Sequence, residues 1–113
     1  MKNFGDTIRE LRVAQDLGLR ETAGKIGISP TYLSRIERAK EKPPKPEVIK
    51  ALAKELATDP DVLFRLSSST DPEVSDFLND QPEAMELLRF IKDAAFTPMQ
   101  LEKLLEVAKS IRA

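Results

Sequence analysis

The 113-residue chain has no cysteine, no histidine and no tryptophan, only four glycines, and no apolar run longer than three residues. Each absence removes a class of function. Without Cys or His there is no disulfide framework, no thiol nucleophile, no imidazole base and no ordinary zinc site. Short apolar runs exclude a membrane span and a signal-peptide core, so the expectation is a cytoplasmic protein that makes no use of a membrane. No Ser/His/Asp or Cys/His set is possible, and no Gly-rich phosphate loop follows a strand, so no catalytic residue, metal or cofactor is expected. What remains is 41% hydrophobic and 33% charged, the composition of a folded domain with at most a short appendage.

The formal net charge of −1 conceals an asymmetry. Residues 1–45 carry ten basic and six acidic side chains, whereas residues 46–113 carry eight basic and thirteen acidic ones. Binding to a polyanion depends on the face presented and not on the sum. The N-terminal half is therefore the candidate polyanion-facing half, and the acidic remainder has another role.

Proline punctuates the chain. Ser29-Pro30, Asp59-Pro60, Asp71-Pro72 and Thr97-Pro98 each pair a capping residue with a proline at the first helical position, where its missing N–H costs nothing. Lys45-Pro46 and Gln81-Pro82 are weaker starts of the same kind, and no stretch shows the alternation of a strand. The reading is all-α. Helices are expected at about residues 3–15, 19–26, 30–38, 46–57 and 60–66, then at about 72–79, 82–94 and 98–111. Gly27 can end the second helix in a left-handed conformation. Ile28 and Leu33 have the spacing of a hydrophobic staple at the start of the third, and Phe96 with Leu101 repeats it at the last, where Thr97 and Gln100 form a capping box. Residues 40–45 should be exposed and non-helical. The polar run 67–70 divides an N-terminal domain, residues 1–68, from a helical extension, residues 69–113.

The extension carries an apolar stripe on its last two helices: Leu87, Leu88 and Ile91, then Leu101, Leu104, Leu105, Ala108 and Ile111. Two helices alone cannot enclose a core, so this stripe should meet the rest of the chain, a second copy or a partner. Phe77, Phe90 and Phe96 are expected as core or interface aromatics.

Residues 17–38, LGLRETAGKIGISPTYLSRIER, resemble the helix-turn-helix of the phage-repressor (Xre, or Cro/cI-type) family, as do FGDTIRELR before them and residues 48–63 after them. The agreement is dispersed over Ala23, Gly27, Ile28, Ser34, Ile36, Glu37 and the DPDVL close at 59–63. The resemblance implies a five-helix DNA-binding domain over about residues 3–66, with the third helix in the major groove. Carried over position by position, it places Thr31 and Arg35 at base edges, with Pro30 and Ser34 beside them. Arg35 could make a bidentate contact to guanine and Thr31 could meet a thymine methyl. Leu19, Arg20, Tyr32, Arg38, Lys40 and Lys42 are then the phosphate-binding positions. The same resemblance makes Arg12 and Glu37 a structural ion pair, while Lys25 and Lys50 read as solvated surface. Four positions depart from the family pattern: Gly18 replaces a capping residue, Thr22 a core leucine, Gly24 a long polar residue, and Ala39 a terminating glycine. Because a left-handed residue is costly for alanine, the end of the third helix is expected to continue or to turn differently.

The implied function is sequence-specific transcriptional regulation, as a repressor that binds an inverted repeat as a homodimer on double-stranded DNA. One short helix reads only a few base pairs, and two copies about 34 Å apart read two half-sites. The alternative is an antitoxin-like or otherwise partner-binding protein whose C-terminal helices engage a second protein.

Overall fold

The computed structural model describes residues 3–112, so Lys2, one of the ten N-terminal cations, lies outside the described residues. Eight helices follow one another: α1 (Phe4–Ala14), α2 (Leu19–Ile26), α3 (Pro30–Glu37), α4 (Pro46–Glu55), α5 (Pro60–Leu66), α6 (Pro72–Asp80), α7 (Pro82–Asp93) and α8 (Pro98–Arg112). The last six begin on proline, as the capped dipeptides predict. Ser29 and Asp59 accept hydrogen bonds from the Tyr32 and Asp61 amides, and the Thr97–Gln100 capping box is closed in both directions at 2.9 and 3.2 Å. None of these helices is long and apolar enough to cross a membrane.

The chain divides into two compact units, residues 1–74 and 75–113. In the first, α1 packs on α3, α2 on α3 and α4, and α4 on α5. The inward residues are Phe4 and Ile8 of α1, Ala23 of α2, Leu33 and Ile36 of α3, Ile49, Leu52 and Ala53 of α4 with Leu56 just after it, and Leu63 and Phe64 of α5. They recur at the three- and four-residue spacing that gives each helix one apolar face. Burying each large aliphatic side chain contributes about 1.5–3 kcal/mol. The division falls within α6, a few residues past the polar run at 67–70. Ser67 is buried there with its hydroxyl donating to the Phe64 carbonyl, and Lys50 holds Asp71 at 3.2 Å and Glu73 at 3.5 Å.

Gly5 is where α1 meets the end of α3. A Cβ at this position would overlap the Ile36 carbonyl oxygen and stand 2.9 Å from that of Glu37, so only glycine permits this approach. Thr22 is buried, and its Oγ1 has no hydrogen-bond partner.

Two expectations require correction. Ala39 does adopt the left-handed conformation, with φ of 57°, in place of continuing the helix. Its amide donates to the Ile36 carbonyl and the Lys40 amide to that of Arg35, at 3.1 and 2.9 Å. This is the pair of bonds of a Schellman cap, and it offsets the backbone strain. Pro44 is buried although its neighbours in residues 40–45 are exposed. Lys25 and Lys50 lie at the surface, as expected, where Lys25 bridges Glu21 and Glu55, and Lys50 bridges Asp71 and Glu73.

In the second unit, α7 and α8 contribute no buried residue. Phe90 and Phe96 meet edge to face with ring centroids 6.0 Å apart. Leu87, Leu88, Leu101, Leu105 and Ile111 are exposed, as is Ala108, while Ile91 and Leu104 are half-buried. Phe77 is exposed as well.

Candidate nucleic-acid interface

The turn between α2 and α3 is set locally. Gly27, at φ of 78°, ends α2, and the Ser29 hydroxyl caps α3 by accepting from the Tyr32 amide at 3.0 Å. With Leu33, Ile36 and Glu37 turned inward, α3 presents Thr31 and Arg35 to solvent and Arg38 is exposed at its end, with Ser34 and Pro30 half-buried beside them. All four positions expected at base edges therefore lie on one short helix, and Thr31 and Arg35 stand at its exposed surface.

An ion pair locks the orientation of that helix. Arg12 donates from Nε to Glu37 Oε2 at 2.7 Å and from Nη2 to Oε1 at 3.0 Å, while Nη1 donates to the Leu17 carbonyl at 2.8 Å. The two side chains are only 13% and 5% exposed. The bond to Glu37 raises the Arg12 pKa above its ordinary value, so the guanidinium stays charged. One contact thus joins α1, the loop before α2, and the end of α3.

The phosphate-binding candidates divide into two groups. Arg20, Arg38, Lys40 and Lys42 are exposed, and no carboxylate pairs with them among the described residues. Cations without a carboxylate partner can neutralise phosphates and release counterions. Leu19 and Tyr32, by contrast, are half-buried with side chains packed on the core.

An open depression of about 280 Å³ separates α1 from α3 and the start of α2, lined by Arg9, Arg12, Leu19, Ser34, Glu37 and Arg38. Arg9 joins the basic set here. No motif pointed to it, although its three-residue spacing from Arg12 puts both on one face of α1. Arg35 is already engaged: its Nε donates to Glu41 Oε1 at 2.7 Å and its Nη2 to the Lys40 carbonyl at 3.3 Å. Sequence reasoning had no signal for this contact, which depends on the turn at Ala39. No group of metal-binding side chains occurs among the described residues.

The chain matches the family model of the helix-turn-helix domain over residues 3–66. It belongs to the helix-turn-helix domain family. Among relatives, it is 41% identical to the HTH-type transcriptional repressor RghR of Bacillus subtilis over 56 residues, half of this chain and 42% of that protein. It is 29% identical over 106 residues to the HTH-type transcriptional regulator Rv0474 of Mycobacterium tuberculosis, covering 94% of this chain and 69% of the relative. The chain spans about two fifths of the length of the Bacillus relatives it matches. Among solved structures, it is similar to the P22 c2 repressor in complex with a synthetic operator. That match has a TM-score of 0.52 and 28% identity, covering 56% of this chain and 94% of the repressor chain.

Proposed function

We propose that this protein is a sequence-specific DNA-binding repressor that places α3 in the major groove and binds an inverted-repeat operator as a homodimer. The observation that carries the reading is the division of α3 into two faces. One is fixed to the core by Leu33, Ile36 and the Arg12–Glu37 pair; the other offers Thr31, Ser34 and Arg35. A rigid short helix with polar side chains on its outer face is what base-edge readout needs. Arg20, Arg38, Lys40 and Lys42 flank it and hold the backbone, with Pro30, Tyr32 and Leu19 in supporting positions. The similarity to a repressor whose operator complex is known supports the same docking.

The extension from residue 69 onward supplies the dimer surface. Its support is the apolar stripe of α7 and α8, where Leu87, Leu88, Leu101, Leu105 and Ile111 lie exposed. The same stripe supports the second reading, capture of a different protein by those helices.

The test is selection of bound duplexes from a random pool at about 150 mM salt, where non-specific binding is weak. Enrichment of an inverted repeat with half-sites about one helical turn apart is the expected result. In titrations with the selected duplex, Lys42→Ala should reduce the slope of log K against log salt by about 0.9. Folded protein that enriches no sequence would overturn the DNA-reading proposal and favour the partner-binding one.

A further inference from the structure

The geometry points to Glu41 as a positioning residue that sets which edge of Arg35 faces a base, and so to a specificity role for a side chain outside the helix-turn-helix. The inference rests on the proposed docking of α3. It begins with the Schellman cap. Because Ala39 turns left-handed and the Lys40 amide closes onto the Arg35 carbonyl at 2.9 Å, residues 40 and 41 fold back beside the last turn of α3. Glu41 Oε1 then accepts from Arg35 Nε at 2.7 Å, and the Lys40 carbonyl accepts from Nη2 at 3.3 Å.

A guanidinium has two edges able to donate in parallel. Nε and Nη2 form one; Nη1 and Nη2 form the other. Here the first edge is taken by Glu41 and Lys40, while no described contact engages Nη1. Nη1, with the second hydrogen of Nη2, is then the fork that can donate to O6 and N7 of guanine. With 46% of the Arg35 side chain and 36% of the Glu41 side chain exposed, the pair adds little to folding stability. Its effect lies elsewhere. A free arginine must lose rotamer freedom on binding, whereas one already held by two acceptors has lost much of it before DNA arrives. The carboxylate thereby sharpens the preference for guanine, although its charge opposes approach to phosphate.

Wild type, Arg35→Ala, Glu41→Ala and the double variant should be compared on the selected duplex and on duplexes changed one base pair at a time, with Tm measured for each protein. Arg35→Ala identifies the base pair that Arg35 reads as the position where discrimination disappears. Glu41→Ala is expected to reduce discrimination at that base pair by about 2- to 12-fold and to leave other positions unchanged. In the Arg35→Ala background the same substitution should alter no preference. If Glu41→Ala leaves discrimination at the Arg35 position intact, or strengthens all duplexes equally, the carboxylate is only a local charge and the inference is overturned. If instead it sharpens discrimination, Glu41 competes with the base and the inference is equally overturned. If Arg35→Ala changes no single position, the docking of α3 itself fails, a result separable from the others.

Discussion

Replacing Glu37 with alanine should cost the folded state about 3 kcal/mol, far more than any surface ion pair in the chain. The Arg12 side chain is 13% exposed beside Glu37, and the substitution leaves it the Leu17 carbonyl as its remaining described acceptor. Removing one partner of a buried pair costs about 3–5 kcal/mol, because the other charge stays desolvated. Residual exposure and the bond to Leu17 put this case at the lower end. A unit of this size has a total stability of roughly 3–10 kcal/mol, so the loss is a large fraction of the whole. Near the transition it corresponds to a fall in Tm of about 12–24 °C. The assay is urea unfolding at pH 7 followed by tyrosine emission. The chain has one tyrosine, Tyr32, and no tryptophan, so this signal reports on the unit containing α3. Arg12→Met combined with Glu37→Leu should recover most of the loss, since an apolar pair of similar volume leaves no charge unpaired. A cost below about 1 kcal/mol for Glu37→Ala, abolished by added salt, would refute the reasoning. It would mean that water screens the pair and that Leu33 and Ile36 alone orient α3.

Four further outcomes follow from particular contacts. Gly5→Ala should destabilise by about 1–3 kcal/mol in the same assay, because a Cβ there collides with backbone carbonyls that cannot rotate away. Thr22→Val should stabilise by about 1 kcal/mol, since it keeps the shape of a buried residue and removes a hydroxyl without a partner; a loss of stability would show that the hydroxyl is satisfied. Ala39→Gly should raise stability by about 0.5–1 kcal/mol by relieving the left-handed backbone while keeping both cap bonds. The Asp71 carboxylate is held below its ordinary range, first by the Glu73 amide at 3.0 Å and then by Lys50. A depressed folded pKa stabilises above the unfolded value and is lost as pH falls through the folded one. The Glu73 amide resonance should therefore titrate with a midpoint below about 3.9, and a midpoint at or above that value would refute the contact.

Helix starts were legible because their signals are local. A capping side chain and a proline act within about four residues, so Ser29-Pro30 and Thr97-Pro98 specify α3 and α8 without reference to anything distant. The ends were harder. Ala39 looks unsuited to a left-handed cap, and the strain is tolerated only because Ile36 and Arg35 supply acceptors for the two amides that close the turn. The ties across residues 67–70 were hidden for a related reason. Lys50, more than twenty residues upstream, reaches Asp71 and Glu73, and no local pattern announces that tie.

The candidate interface divides along the same line. Which face of α3 points inward follows from the spacing of Leu33, Ile36 and Glu37, so Thr31 and Arg35 could be placed outward from the sequence alone. The family resemblance supplied the role of that face. Only the tertiary structure brought Arg9 of α1 to the same depression as Arg38, and only it brought Glu41 onto Arg35. It also decided that Gly5 must be glycine and left Thr22 without a partner. The physical reason is range. Caps, periodicity and staples are interactions between neighbours in the chain, which the order of residues determines by itself. The distance between α1 and α3, and the path of the chain after Ala39, are set by packing among residues far apart in sequence, and those distances decide which donors of Arg35 remain free.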